Sequence, residues 1–460
     1  MSGQAGGTGT GTPLHHHLMA IGGVGMSALA RLLRADGHHV SGCDQQPSPY
    51  SRALEAEGVR VHIGHDPTHL EGVDVLVVSS AFAEMHPEIQ AAHARAVPVL
   101  RRLELLGRLL AAAPSVGVTG THGKTTTSSM LSSLLLAADQ DPWCFVGAYV
   151  PALESNARFG RGLRVAEIDE SDPRFQEVVV QTAVLTNLED DHIGAGEDLP
   201  NNYHATFEDL IRATERFARS AERVVYNAEW PLLERITEGH PQRVGFGEKI
   251  GTYQARELTL SPTGSTFQLY RADTFLAPVT LSVPGRHNAW NALAALSAAL
   301  ECGAPLEPMV EALSRFRGAE RRFEQVGTYR GAPVIDDYAH HPTEVRAVIA
   351  AAQATGRRVR LVFQPHRYGR TQQMWERFAE SLVGPDEVIV LDIFSASEKP
   401  IPGVHSRLIA DHLQAHGHPG VWMTWEDTER HLRATTTPED LLLFVGAGDI
   451  YQLALRLAAG

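Results

Sequence analysis

The first residues whose types and spacing could do chemistry are a lysine and a run of hydroxyls set in a glycine turn, Val116-Gly-Val-Thr-Gly-Thr-His-Gly-Lys-Thr-Thr-Thr127. Glycines let backbone N–H groups converge on an anion, and a helix starting just beyond adds its partial positive charge. Gly120, Thr121, His122, Gly123, Lys124, Thr125 and Thr126 therefore read as a phosphate cradle, with Lys124 reaching the terminal phosphates and Thr125 holding Mg2+. The longer pattern G-x-x-x-x-G-K-[ST] fails by one position, because Val118 stands at its first glycine; an ordinary glycine-rich turn is the plain alternative. Lysine occurs only at positions 124, 249 and 399 among 40 Lys+Arg, so one kept in this turn points to a need for a compact ammonium.

Charged groups gather again where apolar runs end. Arg164 to Ile168 reads as a strand ending in Asp169-Glu170-Ser171-Asp172, and Val178 to Thr186 as another ending in Asn187-Leu-Glu-Asp-Asp-His192. Ligands in α/β sheets bind just beyond the carboxyl ends of strands, and a Mg-nucleotide needs hard oxygen donors. Solvated acidic loops are the bland reading. Asn288 and Asn291, three apart at the start of an Ala/Leu-rich helix, share a face and either cap it or read base or ribose. Two later strands run into polar elbows, Asp337-Tyr338-Ala-His340 and His366-Arg367-Tyr-Gly-Arg370. Near the N-terminus, Ala20-Ile-Gly22-Gly23-Val-Gly25 joins a strand to a helix, and Asp44 ends the next strand. That is a pyrophosphate-binding βαβ pattern. It lacks the first glycine of the dinucleotide fingerprint, so it supports a nicotinamide cofactor only weakly. His15, His16 and His17, entering the first strand, read as a local accident rather than a metal tract.

These residues need about three cores to position them, since 460 residues exceed what one core holds. The boundaries read as a disordered tail over 1–12, then domains over 13–104, 105–318 and 319–460, each α/β. Strands are expected at Val59 to Ile63, Val73 to Ser79 and Val97 to Leu100 in the first, a helix at Leu103 to Ala112 opening the second, and short β pieces over 250–283. Strands at Glu387 to Phe394 and Leu441 to Val445 are expected in the third. Hydrophobic content of 43% and charged content of 20% are those of a soluble globular protein. A net charge of -14 argues against a general nucleic-acid binder, though not against a small anionic ligand. Cys43, Cys144 and Cys302 are odd in number and far apart, so neither a disulfide framework nor a zinc knuckle is expected, in keeping with a reducing cytoplasm. No apolar run reaches the roughly 18 residues of a membrane span.

Together the motifs G-T-H-G-K-T-T, D-E-S-D, D-H, G-R-H-N, R-R-F, D-D-Y-x-H-H-P-T-E and Q-P-H-R-Y-x-R, in this order from about His17 to the C-terminus, make the chain resemble the ATP-dependent Mur ligases of peptidoglycan synthesis, in particular the alanine-adding branch. The resemblance implies the three-domain Mur ligase architecture: a Rossmann-like N-terminal domain for a UDP-sugar, a central P-loop ATPase, and a Rossmann-like C-terminal domain for the amino acid. It implies phosphorylation of the lactoyl carboxylate of UDP-N-acetylmuramate by ATP with Mg2+, then attack by L-alanine on the acyl phosphate, in a cytoplasmic monomer or homodimer with no membrane or nucleic-acid partner. Lys124, Glu170, His192 and Arg322 would be catalytic; Thr125, Glu170 and His192 would hold metal. Asn288, Asn291, Arg322 and Asp337 would bind the nucleotide beside the cradle. Gly22, Gly23, Gly25, Asp44 and Ser79 would line the UDP-sugar crevice, and Tyr338, His340, Arg367 and Arg370 the alanine site. Ala20 replaces a glycine of the first loop, Gly194 replaces an aspartate after D-H-I, and there is no lysine between Lys124 and Lys249 to be carbamylated. Three alternatives stay open: a recycling ligase that adds a preformed peptide, an NAD-dependent oxidoreductase, and a non-enzymatic nucleotide switch.

Overall fold

Near-continuous apolar strands such as Val75–Val78 and Asp440–Val445 are buried on every residue, as parallel sheets covered on both faces require. The computed structural model describes residues 12–80, 82–191, 193–194, 204–396 and 398–459. They form two units: one holds the described residues up to 254 with 270–275 and 291–312, the other 255–269, 276–290 and those from 313 to 459.

In the first unit, β1 (His15–Met19), β2 (His39–Asp44), β3 (Arg60–Ile63), β4 (Val75–Val78) and β5 (Val99–Arg101) make a parallel sheet of order β3-β2-β1-β4-β5. That order reverses at β1, where the glycine turn leads into the helix Val24–Ala35. A second sheet follows, built from β6 (Ser115–Thr119), β7 (Trp143–Val150), β8 (Ser155–Arg158), β9 (Arg164–Glu167), β10 (Thr182–Leu185), β11 (Arg223–Asn227) and β12 (Arg243–Gly247). Its order is β12-β11-β10-β6-β9-β7-β8, with β8 antiparallel at the edge. The strand order continues to ten through β13 (Tyr253–Ser261), β14 (Gly264–Arg271) and β15 (Thr274–Leu281).

The second unit carries β16 (Glu324–Tyr329), β17 (Ala332–Asp337), β18 (Arg358–Phe363), β19 (Glu387–Val390), β20 (Gly420–Trp422) and β21 (Asp440–Val445), ordered β16-β17-β21-β18-β19-β20. Only β16 is antiparallel, and apolar clusters cover both faces.

Three sheets of α/β type are what the sequence led us to expect; several strands are not. Short members such as β8, β16 and β20 carry little apolar periodicity because edge positions leave them half solvated. The run from Val178 begins as the end of a 3-10 turn, capped by Asp172, so pairing starts only at Thr182. Among the described residues no helix is long and apolar enough to cross a membrane.

Candidate functional site

Strand β6, wholly buried, delivers the glycine turn, and the helix Lys124–Ala137 leaves it. Gly123 caps that helix at φ +80°, a left-handed conformation that favours glycine, and a Cβ there would strike the Asn291 carboxamide. Asn291 is thus packed on the loop, and its Oδ1 accepts from the Thr127 hydroxyl at 3.3 Å. The far wall of the turn is Asn187: its Oδ1 accepts from the His122 N–H at 2.8 Å, and its Nδ2 donates to the His122 carbonyl at 2.9 Å. The His122 ring lies 3.2 Å from Glu189. His122 therefore shapes the turn through its backbone and its imidazole alike.

Lys124 Nζ donates to the carbonyls of Gly120 at 2.7 Å and Thr121 at 3.1 Å and pairs with Glu170 at 2.7 Å. Burial alone would lower its pKa; the carboxylates of Glu170, Asp169 and Glu167 more than offset this and hold it above the ordinary lysine value. Glu167, at the end of β9, was not singled out in the sequence. It accepts from the Thr125 hydroxyl at 3.0 Å and from the Gly147 N–H at 2.8 Å, and burial raises its pKa. The available signal was a carboxylate inside the apolar run Val165-Ala-Glu-Ile168. Glu170 is 1% exposed, and buried His204 braces its carbonyl at 2.8 Å; no motif pointed to His204. His192 lies outside the described residues, while Gly194 N–H bonds the His204 carbonyl.

In the glycine turn after β1, Gly22 N–H donates to Asp44 Oδ2 at 2.9 Å and the Ser48 hydroxyl to the Gly22 carbonyl at 2.8 Å. A Cβ on Gly22 would collide with both side chains. Ala20 sits at φ +57°, so the residue standing where a glycine was expected is strained, not merely bulkier. Ser79 Oγ is buried and has no hydrogen-bond partner among the described residues. Arg102, another residue the motifs did not mark, approaches within 3.0 Å of where a Gly25 Cβ would lie and pairs with Asp169 at 3.3 Å. It links this turn to the acidic end of β9.

In the second unit, Asp337 accepts from the N–H groups of Phe323 and Ala339, each at 2.7 Å. Burial nevertheless pushes its carboxyl up to about 6. The Arg322 guanidinium lies 5.3 Å from the Tyr338 ring centroid and 4.0 Å from Glu344. The His340 N–H donates to Glu344 at 3.0 Å, and its ring packs edge-on against Tyr338 and His366. Tyr338, His340 and Asp337 of the elbow thus lie beside Arg322, a residue of the separate R-R-F motif. Arg367, at φ +72°, starts the helix Tyr368–Ser381 and stands 3.8 Å from Glu398. His287, the histidine of G-R-H-N, to which the sequence assigns no role, is held neutral, at about 4, by burial. Asn288 Nδ2 donates to the Pro284 carbonyl at 2.7 Å, closing the turn before the helix Arg286–Glu301. Buried carboxylates beside one ammonium, a cation beside an aromatic elbow, and glycine turns at helix starts suit a chemistry of phosphates and carboxylates.

Three family descriptions match in succession: the Mur ligase family catalytic domain over residues 15–113, the Mur ligase middle domain over 118–299, and the Mur ligase glutamate ligase domain over 321–448. A UDP-N-acetylmuramate–L-alanine ligase of Deinococcus radiodurans is 46% identical over 455 residues, 97% of this chain and 94% of that protein. The crystal structure of a UDP-N-acetylmuramate–alanine ligase from Thermotoga maritima superposes with a TM-score of 0.83 at 29% identity, covering 97% of this chain and 98% of that one. A murein peptide ligase from Psychrobacter arcticus shares the fold, with a TM-score of 0.70 at 23% identity over 97% and 98% of the two chains.

Proposed function

Because the chain belongs to the Mur ligase family, we infer that it is the ATP-dependent ligase that joins L-alanine to the lactoyl carboxylate of UDP-N-acetylmuramate in peptidoglycan synthesis. The supporting relative is alike over nearly its full length. The structural observation that carries the reading is Lys124, buried in the turn and tied to Gly120, Thr121 and Glu170. An ammonium fixed there meets charge on a transferring phosphoryl group without reorganising.

A carboxylate oxygen of the sugar attacks the γ-phosphorus, the bond to ADP breaks, and an acyl phosphate results. The alanine amine then attacks the acyl carbon; phosphate leaves from the tetrahedral intermediate and the amine gives up its proton. Glu167 and Glu170 share the one Lys124 ammonium, so their negative charge exceeds its positive charge, and the Thr125 hydroxyl adds a third hard oxygen. This donor set fits Mg2+, which would neutralise phosphate charge. We assign Thr125 and Glu170, with Glu167 added, to that ion, and His192 to a second. Asn288, Asn291, Arg322 and Asp337 are assigned to the nucleotide. Forked guanidiniums of Arg367 and Arg370, with His340, suit the alanine carboxylate, and Tyr338 limits its side chain. Gly22, Gly23, Gly25 and Ser79 face the UDP diphosphate, and Asp44 holds their turn. Residues 13–104, 105–318 and 319–460 would serve sugar, ATP and amino acid in turn. We place the reaction in the cytoplasm, in a monomer or homodimer.

The test is phosphate release. It should require UDP-N-acetylmuramate, Mg-ATP and an amino acid together, with alanine preferred over glycine and serine. Equal or better turnover with a tripeptide would point to the recycling ligase instead.

A further inference from the structure

Beneath the sugar-side sheet lies a group of side chains that the ligase reaction does not use. His17 of β1, Cys43 of β2, His69 of the turn Pro67–Leu70 and Glu88 of the helix Pro87–Ala94 each bring one donor atom within 4.8 Å of the others. Glu88 is fully buried, as are His17 and Cys43. His65 Nδ1 stands beside them, 3.1 Å from Cys43 Sγ and 3.2 Å from Glu88.

The plain reading is a hydrogen-bond hub: Glu88 accepts from the Asp66 N–H at 3.0 Å and meets His69 at 3.0 Å. That reading leaves the buried ring nitrogen His17 Nε2 without a partner among the described residues. It also sets a carboxylate against a thiol whose pKa burial, and then Glu88 itself, push up. His17 is 0% exposed, and a metal binds the neutral form of an imidazole. Its other nitrogen, Nδ1, is 2.8 Å from the Ser41 hydroxyl, the kind of outer contact that orients a ligating imidazole.

We propose that His17, Cys43, His69 and Glu88 bind one structural zinc ion, with His65 packed beside it. One sulfur, two nitrogens and one oxygen match the mixed donors of a closed tetrahedral zinc site better than the all-oxygen sets of Mg2+ or Ca2+. On binding, the thiol proton leaves to solvent and the thiolate takes the metal. The ion pins β1, β2, the turn and the helix into one block. Cys43 precedes Asp44, which holds the Gly22 turn, so the ion stiffens the base of the sugar crevice.

The test uses the full chain, purified from zinc-supplemented culture and dialysed. Elemental analysis should find one zinc per chain. Cobalt(II) exchanged into the apoprotein should show tetrahedral d–d bands with a thiolate-to-cobalt charge-transfer band. Cys43→Ser should abolish the sulfur band, whereas Cys144→Ser should leave it. Should Cys43→Ser fail to fold, His69→Ala replaces a side chain at the 13% exposed rim and should weaken zinc binding by about 10–100-fold or more, while a chelator lowers Tm of the wild type and zinc restores it. Zinc far below one per chain, a cobalt spectrum without sulfur character, or a Tm indifferent to chelator and zinc would each overturn the proposal. None of these readouts depends on ligase activity, so they fail independently of the assigned reaction.

Discussion

Lys124 is subject to opposing influences: burial disfavours its charge, and three carboxylates favour it. The second effect wins, so the ammonium is present throughout the working pH range and can face phosphate charge. Lys124→Ala should lower turnover by about 10²–10³-fold or more, with an unchanged circular dichroism spectrum. Activity within about tenfold of wild type, roughly 1.4 kcal/mol of barrier, would mean that the cradle is misread. Asp337 has a different balance, because burial outweighs Arg322 and two N–H donors and raises its carboxyl from 3.8 to about 6. A carboxyl raised on folding binds its proton more tightly in the folded state, so its stabilising contribution is complete below 3.8 and lost as pH rises through about 6. In urea titrations from about pH 7 to about pH 4, the stability of wild type relative to Asp337→Asn should therefore rise on acidification. A flat difference, or one growing toward neutral pH, would contradict the burial argument.

At the scale of elements, β18 shows what a charged residue inside a covered strand can do. Arg360 is 2% exposed, and its guanidinium reaches Glu387 on β19 at 2.5 Å, Asp440 at the start of β21 at 3.4 Å, and Thr435 at 2.8 Å. Burial alone would raise the Glu387 carboxyl; hydrogen bonds from Arg360 and His431 hold it below the usual range. The side chain thus ties together three neighbouring strands of the sheet that presents the Tyr338 and His366 elbows. Arg360→Met should destabilise the chain by about 3–5 kcal/mol, because it strands carboxylates that have lost their partner. Adding Asp440→Leu and Glu387→Met should recover much of that loss in denaturant unfolding; no recovery would mean that packing, rather than charge, is what Arg360 supplies.

For the whole molecule, a net charge of -14 separates affinity for small anions, which needs only a local cation such as Lys124, from affinity for polyanions. No shift of duplex DNA should occur in a mobility assay at physiological salt, while Mg-ATP binding should be retained. Shifted DNA would require a basic face that the composition argues against.

What could be read from the chain alone was whatever neighbours in sequence impose on one another. The glycine positions of both turns, Lys124 at a helix start, and the strand-then-elbow runs at Asp337 and His366 need only a few consecutive residues to express their geometry. Only folding over long range could decide which groups meet. Asn291 lies 164 residues from Thr127, Arg102 lies 67 from Asp169, and Glu88 lies 45 from Cys43. No periodicity announces such pairs, because they depend on which strands become neighbours in the sheet. The same limit explains His17, which looked accidental beside two other histidines until β2 and the helix from Pro87 closed over it.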